Sequence, residues 1–410
     1  MSRRMQFGRF DVAACGTFVA YAACSLVVPV ALVAMGKDLG FPLGSGGMAW
    51  AGSLQAARSV TIIAAMLSCG FLAGRWGLRL SSGAALCVMG AGLMVAGAAP
   101  SFVVLLLAVA LAGLGEGVIE ALGTPAVQQL HPDQPGRYIN FTHGFWSIGV
   151  LGSVLAVGWL LSRGLNWRLL IVLGGATALL PAAIFLSPRR GVVTPLDTVR
   201  PLSGLTVAAQ TVDIARRGRF WLFFAAMFFA GGGEFALTFW TASFIQLEFV
   251  AQPWAGGVGT ACFAAGMIFG RLGWGYLLHQ HHLWGLLMGS SLAGAAISLL
   301  LPWVGSLGVL FSVLFLAGIA VGPFWPSLQS YSTDRLPVDT TMLFILLSCA
   351  GIPGCGAFTW AMGILGDHWG LRSSYLLVPV CFAMIAILLA ADRLWRPPVF
   401  ERQRSDPNTP

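Results

Sequence analysis

The stretch LLLAVALAGLGEGVIEALGTPAV, residues 105–127, reads as a lipid-buried helix whose only charged side chains are Glu116 and Glu120. At 1.5 Å per residue a helix of this length reaches roughly 34 Å, enough to cross a hydrocarbon core about 30 Å thick. A carboxylate at the centre of an inserted helix costs about 2.5–3.5 kcal/mol, so two of them demand a salt bridge, a bound cation or a transport pathway. They lie one turn apart, about 6 Å along the axis, and therefore share a helix face. Two carboxylates that close in a poor dielectric do not both ionise easily, which makes one of them a plausible proton carrier.

The rest of the chain agrees with a membrane reading. Hydrophobic residues make up 57% of it and charged residues 9%, against about 25% charged in a soluble domain. Windows of about 20 apolar residues give twelve spans, near 10–36, 46–73, 79–98, 101–129, 138–162, 167–187, 219–247, 254–278, 281–303, 306–331, 340–365 and 371–393. With both termini cytoplasmic, seventeen of the 23 Lys and Arg fall inside, four fall outside (Lys37, Arg163, Arg168, Arg372), and Arg58 and Arg271 lie within spans. The positive-inside rule therefore predicts an N-in, C-in topology. Loops facing anionic lipid explain the net charge of +8 without a nucleic-acid partner.

The first span is too long for a cleavable signal and lacks a small-residue cleavage site. The eight cysteines show no close-paired ligand spacing, so no metal and no cofactor is expected; they read as small packing residues. The longest polar interruption, 187–219, divides the spans six and six. The expected architecture is an all-α membrane protein with an N-terminal six-helix bundle (1–188), a cytoplasmic linker (189–218), a C-terminal six-helix bundle (219–395) and a cytoplasmic tail (396–410). Such a division places a shared site near the bilayer midplane between related halves. Gly70-Phe-Leu-Ala-Gly74-Arg75-Trp-Gly77-Leu-Arg79 and Gly270-Arg271-Leu-Gly-Trp-Gly275 occupy equivalent places in the two halves.

The first of these loops resembles the signature of the major facilitator superfamily, Gly-x-Leu-Ala-Asp-Arg-x-Gly-x-Arg, with Gly74 standing where an acidic residue is usual. The resemblance implies the major facilitator fold, assigns Gly70, Arg75, Gly77 and Arg79 to a conformational loop, and implies a weakened charge lock because the Asp is missing. A narrower likeness surrounds the glutamates. Glu120-Ala-Leu-Gly-Thr124-Pro125 followed by Asn140-Phe-Thr-His143-Gly-Phe145 is similar to the fucose–galactose–glucose/proton symporter branch, with its Glu-Thr-Ala-Ala-Asn-Pro and Asn-Leu-Ala-Gln-x-Phe. That likeness implies substrate-facing positions for Glu120 and His143. Cys24-Ser25-Leu-Val-Val-Pro29 lacks the aspartate that the branch carries in its first span, so any coupling must run through another group.

The residues also argue for themselves. Arg58 is the natural partner for Glu116, which leaves Glu120 for solute or proton; Glu116 and His143 are the further proton-coupling candidates. Glu234, beside Gly231–Gly233, reads either as a cavity ligand at an unwound turn or as the partner of Arg271. Asn140, His143, Trp146, Trp240, Trp325 and Gln329 are candidate solute contacts, since amide, imidazole and carboxylate groups suit hydroxyls and indole faces suit the C–H side of a sugar. Pro125, Pro323 and Pro326 are expected to break spans four and ten. The expected function is a secondary active or facilitative transporter of a small polyhydroxylated solute, working by alternating access in the cell's inner (plasma) membrane as a monomer, driven by protons or sodium. The alternative is a proton-driven exporter of drugs or amphipathic metabolites. No nucleophile–base pair, metal cluster or nucleotide loop suggests an enzyme.

Overall fold

The computed structural model describes residues 5–133, 135–187, 195–197, 204–277 and 280–394. The described chain is helical throughout its regular structure. Its N-terminal half comprises α1 (Arg9–Asp38), α2 (Met48–Gly97), α3 (Phe102–Leu130), α4 (Pro135–Ser162), α5 (Trp167–Ala176) and α6 (Leu179–Leu186). After α7 (Gly204–Ala215), the C-terminal half comprises α8 (Gly218–Glu248), α9 (Pro253–Leu277), α10 (Leu283–Leu300), α11 (Leu307–Val321), α12 (Phe324–Arg335), α13 (Thr340–Trp369), α14 (Leu371–Ser374) and α15 (Leu377–Leu394).

Eleven helical stretches among the described residues are long and apolar enough to cross a bilayer. The twelfth span is the first half of α2, whose polar residues Gln55, Arg58 and Ser59 are all buried. It joins the third span at Gly77, where φ 74° and ψ 166° turn the chain. Conversely, α5 with α6, α11 with α12, and α14 with α15 each build one span. The break between α11 and α12 falls at Gly322 and Pro323.

Two sequence expectations are corrected here. Pro125 does not break span four: α3 runs through it to Leu130. The glycines at 231–233 do not unwind α8 either, for the helix is continuous from Gly218 to Glu248. They are packing surfaces: a Cβ on Gly231 would strike the Gly351 backbone, one on Gly232 the Phe358 ring, and one on Gly233 would sit 2.6 Å from Phe382. Membrane helices use small residues in this way because close backbone approach replaces the hydrophobic drive they lack. Gly113, Gly115 and Gly117 do the same for α3 against α2, and so set the depth at which Glu116 meets Arg58.

Within each half the helices pack on one another, and the halves meet along α2 against α13 and α4 against α9. The closest of these contacts lie at the end away from the chain termini. Asp367 accepts bonds from the amides of Met48 (2.9 Å) and Ala49 (2.8 Å), capping the start of α2 from the other half. A Cβ on Gly52 would lie 2.8 Å from the Thr359 carbonyl, and one on Gly158 would lie 2.9 Å from that of Pro253. The Trp254 amide donates to Ser162 Oγ at 2.8 Å.

Candidate functional site between the two bundles

The deepest charged group in the N-terminal half is Glu116, fully buried by its glycine neighbours, and it is bound on both oxygens. Arg58 donates from Nε to Oε2 at 2.7 Å and from NH2 to Oε1 at 2.6 Å. The same guanidinium reaches Ser25 Oγ at 2.6 Å, the Ser25 carbonyl at 3.1 Å and Gln55 Oε1 at 3.4 Å. The fork thus satisfies a bidentate carboxylate and ties α1, α2 and α3 together.

One turn further along α3, Glu120 is only partly buried. Its polar neighbour on α1 is Tyr21. Thr124 continues the same face, and its Oγ1 lies 3.0 Å from Nε2 of His143 on α4. The imidazole packs on Phe18 with ring centroids 4.4 Å apart, yet remains exposed. Arg271 of the opposite half is near enough for its charge to act on this imidazole across the space between the bundles.

Across that space, Arg271 NH2 donates to Glu234 Oε1 at 3.1 Å and its Nε to the Gly322 carbonyl at 2.9 Å. The carbonyl is exposed to a partner by the α11–α12 break. Glu234 Oε2 is buried with no hydrogen-bond partner among the described residues. Cys355 of α13 donates to the Gly231 carbonyl at 3.4 Å, tying α13 to α8. Gln329 donates to Ser348 Oγ at 3.3 Å.

These groups do not balance. In the middle of the spans, Glu116 is matched by Arg58 and Glu234 by Arg271, while Glu120 has a tyrosine for a neighbour and no guanidinium contact among the described residues. A carboxylate in that position binds a proton or a solute hydroxyl far more readily than one already held by arginine.

The remaining singled-out residues fall in different places. Trp240 is fully enclosed and donates its indole N–H to the Thr359 carbonyl at 3.0 Å, so it packs the C-terminal half and does not wall the cavity. Trp325 is partly buried among Ile62, Met66 and Ile352, where the two halves meet. Trp146 is partly buried against the main core. The side chain of Asn140 and the surroundings of Gly70 lie outside the described residues. In the loop, Arg75 is exposed. Arg79 donates to Asp197 at 2.8 Å and to the Phe185 carbonyl at 2.8 Å, so a carboxylate from the linker stands where the signature's own is missing. Sequence reasoning missed Asp197, Tyr21 and the buried Asp392, which takes bonds from Arg219 at 2.6 Å and Tyr331 at 2.7 Å. A tyrosine in span one was the available signal for the second; the other two depend on long-range packing.

The sequence profile of the Major Facilitator Superfamily matches residues 13–341. Among solved structures, the chain is similar to a bacterial homologue of the human lysosomal transporter Spinster in an inward-facing, occupied conformation, with TM-score 0.76 and 16% identity over 94% of this chain and 96% of that one. It is similar to a D-xylose–proton symporter, with TM-score 0.73 and 12% identity over 95% and 97% of the two chains. It is also similar to the E. coli fucose:proton symporter, with TM-score 0.62 and 17% identity over 93% and 98%. No curated protein sequence matches it. The chain belongs to the Major Facilitator Superfamily. It is a multi-pass membrane transporter and not an enzyme.

Proposed function

We propose that the protein moves a small polyhydroxylated solute, a sugar, across the plasma membrane together with a proton, and that Glu120 carries the coupling. The observation behind this reading is the charge imbalance: of the three carboxylates in the middle of the spans, Glu120 alone has no arginine contact among those described, and it stands beside Tyr21 on the face that leads to Thr124 and His143. Amide, hydroxyl, imidazole and carboxylate groups can each exchange hydrogen bonds with solute hydroxyls. Asn140, His143, Glu234 and Gln329 are the proposed contacts from both halves, with Trp146 and Trp325 as apolar walls. Residues 1–188 and 219–395 are the proposed rocking units, and each holds its own buried ion pair as a rigid strut. The sugar:proton symporters of the same fold favour solute and proton as partners.

The experiment is a thermal-shift screen of the purified protein against pentoses, hexoses, nucleosides, amino acids and amphipathic cations. Stabilisation grows as RT ln(1 + [L]/Kd), so a millimolar ligand registers at high concentration. The reading expects a sugar to raise the melting temperature and the cations to leave it unchanged; the reverse pattern overturns it.

A further inference from the structure

A cavity lies on the C-terminal half, away from Glu120, His143 and Glu234. It has a volume of about 870 Å³ and is bounded by α10 and α11, the end of α9, and the last residues of α12 and α15. Its two ends differ in chemistry. At the end carrying the chain termini it is lined by Arg335, Arg393, His281 and His282. Deeper in, Gly289, Ala293 and Ile297 of α10 face Leu316, Ile319 and Ala320 of α11. From His282 to Ile297 the trough follows α10 for roughly 22 Å, longer than one leaflet of a core about 30 Å thick.

The cationic end is held in shape. Arg393 lies 4.1 Å over the Trp284 ring, whose indole N–H donates to the Leu389 carbonyl at 3.1 Å. Arg335 donates to Tyr331 at 3.1 Å and stands 3.8 Å from Asp392, the carboxylate already bonded to Arg219 at 2.6 Å. Among the described residues, the three guanidinium groups Arg219, Arg335 and Arg393 stand against this buried Asp392 and the exposed Asp334, a surplus of one positive charge at this end. The positive-inside rule puts this mouth in the cytoplasmic leaflet, the anionic one. No side chain fills the trough where α10 offers Gly285 and Gly289: a Cβ at either meets nothing within 4 Å.

We infer that this cavity is a site for one anionic phospholipid, its phosphate on Arg393 and Arg335 and an acyl chain along the α10–α11 trough. Charge at the mouth and length of the trough point to the same occupant. A free phosphate would use only the mouth, and a zwitterionic lipid would gain little from the surplus charge. The site is independent of the solute pathway.

The test is native mass spectrometry of the full-length protein titrated with phosphatidylglycerol, with phosphatidylcholine and with glycerol phosphate. Phosphatidylglycerol is expected to bind at least tenfold more tightly than phosphatidylcholine, and glycerol phosphate not measurably. Arg393→Gln removes charge from the mouth, and Gly289→Leu fills the trough at a position with open space; each is expected to weaken phosphatidylglycerol at least tenfold while the melting temperature of the lipid-free protein stays unchanged. Equal binding of the two lipids, or tight binding that survives both substitutions, overturns the proposal. So does glycerol phosphate binding as well as the lipid, which would make the mouth a simple anion site. Binding that appears only after residues 395–410 are removed would assign the cavity to the chain's own tail and overturn it as well.

Discussion

Glu116→Gln is the change whose cost follows most directly from the geometry. It keeps the side chain's shape but places an amide N–H₂ against a guanidinium that already donates from Nε and NH2 at 2.7 and 2.6 Å. One charge-assisted bond, worth about 1.5–3 kcal/mol, is lost outright and the other is left with a neutral amide acceptor, in line with the roughly 3–5 kcal/mol for removing one partner of a buried ion pair. Glu120, one turn away, can ionise and neutralise part of the stranded charge, so we expect the lower end, about 3 kcal/mol, or somewhat over a hundredfold in the unfolding equilibrium constant. Arg58→Met with Glu116→Leu should recover at least half of that loss, since an apolar pair of similar volume is often neutral, although Ser25 and Gln55 forgo a donor. Reversible unfolding in mixed micelles, followed by circular dichroism, measures both variants. A cost for Glu116→Gln below about 0.5 kcal/mol, or a double variant as unstable as the sum of its singles, would refute the reasoning.

Three further outcomes follow. Asp367→Ala removes the cap that one half places on α2 of the other, a loss of about 1 kcal/mol, so the end away from the termini should open about fivefold more often; maleimide labelling of a cysteine at Ser53 reports this, and an unchanged rate contradicts it. Gly77→Ala forces a side chain onto φ 74° with its Cβ 3.0 Å from the Leu196 carbonyl, and should cost about 1–3 kcal/mol and speed proteolysis within 188–203; equal stability and equal cleavage would contradict this. Gly233→Ala should destabilise the protein by about 1–3 kcal/mol through overpacking against Phe382, and so lower its melting temperature. If unwinding were the role of that glycine, the same change would instead stabilise the helix by up to about 1 kcal/mol.

The twelve-span plan was legible because each span repeats one physical requirement, about 20 apolar residues, and the linker interrupts it once. The second span was the hardest to read by hydropathy, because Gln55, Arg58 and Ser59 are satisfied inside the bundle, as Glu116 shows. Local rules misled where packing decides. Pro125 sits in a continuous α3 and Gly231–Gly233 in a continuous α8, whereas Gly322–Pro323 does divide a span. In the site, the Arg58 and Arg271 partners could be anticipated from the scarcity of charge within spans. Tyr21 beside Glu120 could not, because span register alone does not say which face of α1 meets α3. Asp197 was equally hidden: it reaches Arg79 from 118 residues away in the chain.

Coupling through Glu120 is tested most directly by Glu120→Gln in reconstituted vesicles, with the sugar that the thermal-shift screen identifies, measured both as pH-driven accumulation and as counterflow without a gradient. Accumulation above equilibrium should vanish while counterflow persists, because the amide can still bond solute hydroxyls but cannot exchange a proton. Undiminished uphill accumulation in the Glu120→Gln protein would contradict the assignment.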